Sequence, residues 1–128
     1  MQRKGGDREQ QDDLDSGRSG GGQLTEFDPR RPANWPRNPR LVARNDQGQH
    51  GAGMTTDGRV VWVAYRPRYG TLDGAMIRYD TRTGEARYRN AAVRSQHILY
   101  PVWDPATRRL VAGTSFLSDA GTAVPAGT

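Results

Sequence analysis

The chain has 128 residues, no cysteine, 34% hydrophobic residues and a formal net charge of +5 at pH 7. The lack of cysteine excludes a disulfide framework and thiolate metal centres, and no apolar run approaches the roughly 18 residues that a membrane-spanning helix needs. Nineteen basic residues include a single lysine, Lys4; the arginines are scattered through turns and strand ends, which reads as solvated strand edges rather than a phosphate-binding surface, so nucleic acid is not an expected partner.

Residues 1–21 hold Met1 and Leu14 as their large apolar side chains among Gly, Ser, Gln and charges. That composition does not offset its ordering entropy, so a disordered tail or long loop is expected there. The opening Met-Gln-Arg-Lys-Gly-Gly lacks a following apolar stretch, so no secretory leader is expected. From Gly22 the pattern changes. Segment 22–48 reads as two strands separated by a proline-rich excursion with Pro29, Pro32, Pro36 and Pro39, and Trp35 within it suits an outer surface or an interface.

Segment 49–95 reads as four strands in a meander. Small residues at 51–55 are followed by the tight turn Asp57-Gly58 and the continuous apolar run Val60–Tyr65, which fits a strand covered on both faces. A polar loop over 66–73 leads to a strand at Ala75–Asp80, the turn Thr81–Gly84 and a last strand at 85–89. Segment 96–128 then starts again, with strands at Ile98–Trp103 and Arg109–Thr114 around the turn Asp104–Arg108. Pro101 is compatible with an edge strand. No helical periodicity is present.

The segments also resemble one another. Gly22-Gln-Leu-Thr-Glu-Phe-Asp28 matches Gly74-Ala-Met-Ile-Arg-Tyr-Asp80 at a spacing of 52, Gln49-His50 matches Gln96-His97 at 47, and Val60-Val61 is aligned with Leu110-Val111 at 50. A period near 50 residues with strand patterning predicts an all-β fold, a β-propeller fragment of four-stranded antiparallel meander blades: half a blade, one full blade and half of another. Open faces at both ends predict further blades in cis or self-association.

Val61-Trp-Val-Ala-Tyr65 followed by Met76-Ile-Arg-Tyr-Asp-Thr-Arg-Thr-Gly-Glu85 resembles the YVTN-type and quinoprotein-like propeller repeats, over about residues 22–114. Asp80, Thr83, Gly84 and Tyr88 fit the related Ala-x-Asp-x-x-Thr-Gly-x-x-x-Trp motif of quinoprotein dehydrogenases, with Tyr88 in the tryptophan slot. Arg78 replaces the alanine, and Phe27-Asp28 is followed by Pro29 rather than Thr-Gly. The turn is specific for architecture and weak for a quinone cofactor, so the cofactor stays unknown. The match to WD-type repeats is poorer, because Trp103-Asp104 ends an inner strand.

The residues that carry chemistry cluster by topology. His50 and His97 hold matching places at successive inner strands, and together they are the candidate metal ligands. Gln49, Gln96, Arg66 and Tyr69 join them as ligand-binding candidates at the end bearing the long connections, where loops normally carry function. Arg66, Arg68 and Tyr69 suit a sugar or a phosphate. Asp73 and Asp119 are carboxylates on that same side, and neither Ser115 nor Ser118 has the context of an activated nucleophile. These features predict a scaffold that binds a small molecule, a carbohydrate or a partner. The alternative is a segment of a propeller lyase, lactonase or quinoprotein-type dehydrogenase with its site at the channel mouth.

Overall fold

The computed structural model describes residues 21–116, and among them it contains eight strands and no helix. They are β1 (Gly22–Glu26), β2 (Arg40–Asn45), β3 (Gly48–Thr56), β4 (Val60–Pro67), β5 (Ala75–Asp80), β6 (Ala86–Asn90), β7 (His97–Asp104) and β8 (Arg109–Ser115). Every pairing is antiparallel. The central sheet is a four-stranded meander in the order β3-β4-β5-β6, and β1-β2 and β7-β8 form a two-stranded sheet each. The chain is therefore all-β, as its patterning predicts. The expectations for the N-terminal tail and for Ser118 and Asp119 fall outside the described residues.

The central sheet is covered on both faces, which is why β4 reads as an unbroken apolar run instead of an alternating one. On one face Val63, Tyr65, Ala75, Ile77 and Tyr79 pack against Leu24 of β1 and Ala43 of β2, with Ile77 wholly buried. On the other face the Trp62 ring stacks on Trp103 of β7, with centroids 5.0 Å apart and planes 11° from parallel. The Trp103 backbone N–H also donates to Thr55 Oγ1 at 3.0 Å. Gly53 permits this approach: its φ is +127°, and a Cβ there would lie 2.7 Å from the Tyr100 backbone. Pro101 sits in a register shift of β7 between Leu99 and Val102, on a strand at the sheet edge, where its missing donor costs no ladder bond.

Several strand boundaries differ from the sequence reading by one to three residues, and β7 begins at His97 rather than at Ile98. β3 starts at Gly48 rather than at Gly51, because β4 continues to Pro67 and pairs with Gly48 across two irregularities. Gln49 and His50 consequently lie within β3, and Arg66 belongs to β4 rather than to the following loop.

Aspartates close the odd-numbered strands. Asp28, Asp57, Asp80 and Asp104 each follow or end such a strand, and each accepts at Oδ1 the backbone N–H two residues on: Arg30 at 2.9 Å, Arg59 at 2.9 Å, Arg82 at 2.9 Å and Ala106 at 3.0 Å. A short carboxylate reaching its own backbone reverses the chain without needing a following strand to hold it. Asp80 goes further. Arg59, just before β4, donates to it from Nε at 3.1 Å and from Nη2 at 2.6 Å, a two-pronged clamp from β4 to β5.

The Arg59 guanidinium, helped by the Arg82 and Thr83 N–H groups and opposed by burial, holds the Asp80 carboxyl far below the usual carboxylate range. Its folded-state value lies below the unfolded one, so it contributes stability above about pH 4 that is lost as pH falls further. Asp28, Asp57 and Asp104 are depressed in the same direction. Denaturant unfolding from pH 7 to 2 is expected to show stability falling below about pH 4. Asp80→Asn should be less stable at pH 7 with a shallower acid slope, and an unchanged slope would exclude the clamp as a main source of acid sensitivity.

Candidate functional site

The antiparallel topology sorts the connections to two ends. The β1-β2, β3-β4, β5-β6 and β7-β8 connections lie at one, and the links 46–47, 68–74 and 91–96 lie at the other. This second end collects Gln49 and His50 near the start of β3, Arg66 near the end of β4, Tyr69 in the β4-β5 link, Gln96 at the end of the 91–96 link and His97 at the start of β7.

The 68–74 link is held from both sides. Tyr69 N–H donates to Gln49 Oε1 at 3.3 Å, and Arg68 N–H donates to the Gln47 carbonyl at 3.3 Å. Thr71 returns its N–H and its hydroxyl to the Arg68 carbonyl, at 3.2 and 3.0 Å. At the far side Gly74 N–H donates to the Gln96 carbonyl at 3.1 Å, and Asp73 Oδ1 accepts the Ser95 N–H at 2.6 Å. An exposed aromatic, Tyr69 at 65% accessibility, thus stands on a loop whose backbone is pinned at both ends.

The two histidines differ in surroundings. His50 is exposed on β3, whereas His97 is buried, packed so tightly on Gly74 that a Cβ there would fall 2.5 Å from the His97 Cβ. Among the described residues no three His, Asp or Glu side chains converge as metal ligands. Of the carboxylates in the links on this side, Asp73 is engaged by the Ser95 backbone and Asp46 by Arg44 at 2.8 Å.

Among the described residues, grooves lie on either side of the central sheet. One, of about 460 Å³, runs beside β1 and is lined by Gln23, Thr25, Gln49, His50, Met54 and Tyr65 among others. The other, of about 640 Å³, lies across β5 and β6 towards β8 and is lined by Trp62, Met76, Arg78, Arg87, Arg89 and Leu110 among others. Arg78 and Arg87 face each other directly across the strands, and Arg87 is ion-paired with Glu85 at 2.8 Å.

Several structural anchors carry no strong sequence signal. Asn38 is buried in the proline-rich excursion; its Oδ1 accepts the Asp28 N–H at 2.8 Å, and its Nδ2 donates to the carbonyls of Asp28, Arg31 and Pro32. Asn45, also buried, donates to the Met76 carbonyl and to Asn90 Oδ1, joining β2 to β5 and β6. Tyr65 fits between Gly22 and Gly48, where any side chain would meet its ring or Cβ within 2.6 Å. Its hydroxyl donates to the Gln23 carbonyl at 2.5 Å, tying β4 to β1.

Burial pushes the Tyr65 phenol up to about 12. Because the folded value exceeds the unfolded one, stability is retained below about pH 10 and declines as pH rises beyond it. In a tyrosinate absorbance titration one of the five tyrosines should ionise near 12, and that step should vanish in Tyr65→Phe. A wild-type curve with every tyrosine ionising near 10 would contradict the buried hydrogen bond.

No known protein family, curated protein or solved structure matches this chain.

Proposed function

We propose that the chain is a segment of a β-propeller serving as a binding scaffold, with its ligand surface at the loop end formed by Gln49, Arg66 and Tyr69. The observation that carries the binding role is the pinned 68–74 link: Arg68 and the aromatic Tyr69, on a backbone held by hydrogen bonds, lose little freedom on capture of a ligand. The polar amide of Gln49 beside an open phenol ring suits a carbohydrate, which offers hydroxyls to the one and a C–H face to the other.

The propeller reading draws support from positions that recur with function as well as with sequence. Asp57 and Asp104, 47 apart, both open turns by accepting the N–H two residues on. At the same spacing Gly53 and Tyr100 both have positive φ, and His50 and His97 both lie at the start of an inner strand. At a spacing of 52, Asp28 and Asp80 both fold back on the N–H two residues on.

For the second strands, face alternation favours a spacing of 49 over the 50 of the sequence alignment. Leu110 is paired with Trp103 and shares a groove with Trp62, so it faces back towards the preceding sheet. The residue with that orientation in β4 is Val61, on the Val63 and Tyr65 side, and not Val60. A slip of one residue inverts every side chain, which is why accessibility discriminates between spacings that apolarity alone leaves equal.

Saturation-transfer measurements against neutral and sulfated oligosaccharides test the binding role. Wild type should bind at least one, and Tyr69→Ala should weaken it about tenfold, equivalent to about 1.4 kcal/mol, with the unfolding midpoint unchanged. Equal binding by Tyr69→Ala would remove the loop end as the ligand surface.

A further inference from the structure

Resting on the propeller reading, we infer that β1-β2 of a second copy of this chain completes the open sheet β7-β8. The composite sheet has the order β7-β8-β1-β2, its last two strands coming from the second copy. Among the described residues β8 pairs with β7 alone and β1 with β2 alone, leaving one ladder edge open on each. The two half-sheets are complementary: the first two strands of a meander at one end and the last two at the other.

The central sheet supplies the register. There Trp62 lies opposite Arg78, Val63 opposite Ile77 and Tyr65 opposite Ala75. Carrying β4 to β8 by 49 residues and β5 to β1 by 52 places Val111 opposite Glu26, Ala112 opposite Thr25, and Thr114 opposite Gln23. The faces then agree without adjustment. Leu110 and Ala112 fall on the side of their own central sheet together with Thr25, which is exposed in its own copy. Gly113 falls opposite Leu24, on the side that Leu24 already buries against its own Val63 and Tyr65.

Charge complementarity follows from the same two spacings. The clamp from Arg59 to Asp80 recurs as Arg108 to Asp28 of the second copy. Arg108 is exposed. Asp28 is held in the isolated chain by Arg30, whose own side chain is 87% exposed. The apolar surfaces match as well. Val102 and Val111, 59% and 61% exposed on the outer face of β7-β8, meet the 460 Å³ groove of the second copy, where Met54 is itself 61% exposed. The new contact continues the two sheet-on-sheet packings already present within the chain, so each copy adds two sheets to a ring.

Sedimentation velocity at micromolar concentration tests the inference. Wild type should run as one species at a whole multiple of 14.2 kDa. Asp28→Arg and Arg108→Asp should each shift it to monomer with an unchanged circular dichroism spectrum, and the double variant should regain the wild-type mass. Mild oxidation should link Thr25→Cys/Ala112→Cys between chains, and should not link Thr25→Cys/Arg109→Cys, three residues out of register and beyond disulfide reach. A monomeric wild type, single charge variants that keep the wild-type mass, or equal cross-linking of both pairs would overturn the composite sheet. A monomer that still binds through Tyr69 overturns the assembly alone, whereas an assembled ring without oligosaccharide binding overturns the loop-end reading alone.

Discussion

The sheet β3-β6 must be buried on both faces, and the rest of the molecule follows from that requirement. Ile77 and Tyr79 point to one side and Trp62 to the other, so the sheet exposes apolar surface in both directions unless a neighbour stands at each. A lone meander of this kind has no stable solution in water, since each face left open forfeits roughly 25 cal/mol per Å² of apolar area. The flanking pairs β1-β2 and β7-β8 supply the covers. Their own outer faces then become the next surfaces in need of one, which is how Val102 and Val111 come to stand exposed.

Packing sets the stack, and polar contacts set its register. Tyr65 reaches from β4 to the Gln23 carbonyl on β1, Asn45 reaches from β2 to β5 and β6, and Thr55 receives the Trp103 backbone N–H from β7. Each of these bonds spans two sheets and loses its geometry if either sheet slides by one residue. The aspartate turns act within sheets, fixing where β3, β5 and β7 reverse, and the 68–74 and 91–96 links lie at the opposite end. That division places the pinned 68–74 loop, with Tyr69 and Arg66 near its start, on the side where sequence can vary without disturbing the ladders.

Much of this was legible beforehand, for reasons that differ by residue. Val60–Tyr65 announced a two-faced strand because six consecutive residues are apolar or aromatic, and Asp57-Gly58, Thr83-Gly84 and Asp104 announced turns through their own backbone chemistry. The start of β3 is not legible in the sequence, because Gly48 and Gly51 carry no side chain from which to read a period. The positions of Gln49 and His50 shifted with it. The histidines share a place in the chain, yet one is buried and the other exposed, because His97 has Gly74 above it and His50 borders a groove. Burial of that kind depends on a neighbouring sheet, which no local pattern encodes. Asn38 and Asn45 were equally silent, since a lone asparagine between prolines or at a strand end reads as surface.

The central claim is that each flanking pair is held by one face of the β3-β6 sheet. Site-resolved amide hydrogen exchange on Trp62→Ala tests it most directly. Removing the ring that stacks on Trp103 should lower the opening free energy of β7-β8 amides such as Leu99, Trp103 and Val111 below that of Val63 and Ile77, while β1-β2 keeps its protection relative to the core. Unchanged protection in β7-β8, or the same loss in all three sheets, would contradict the account.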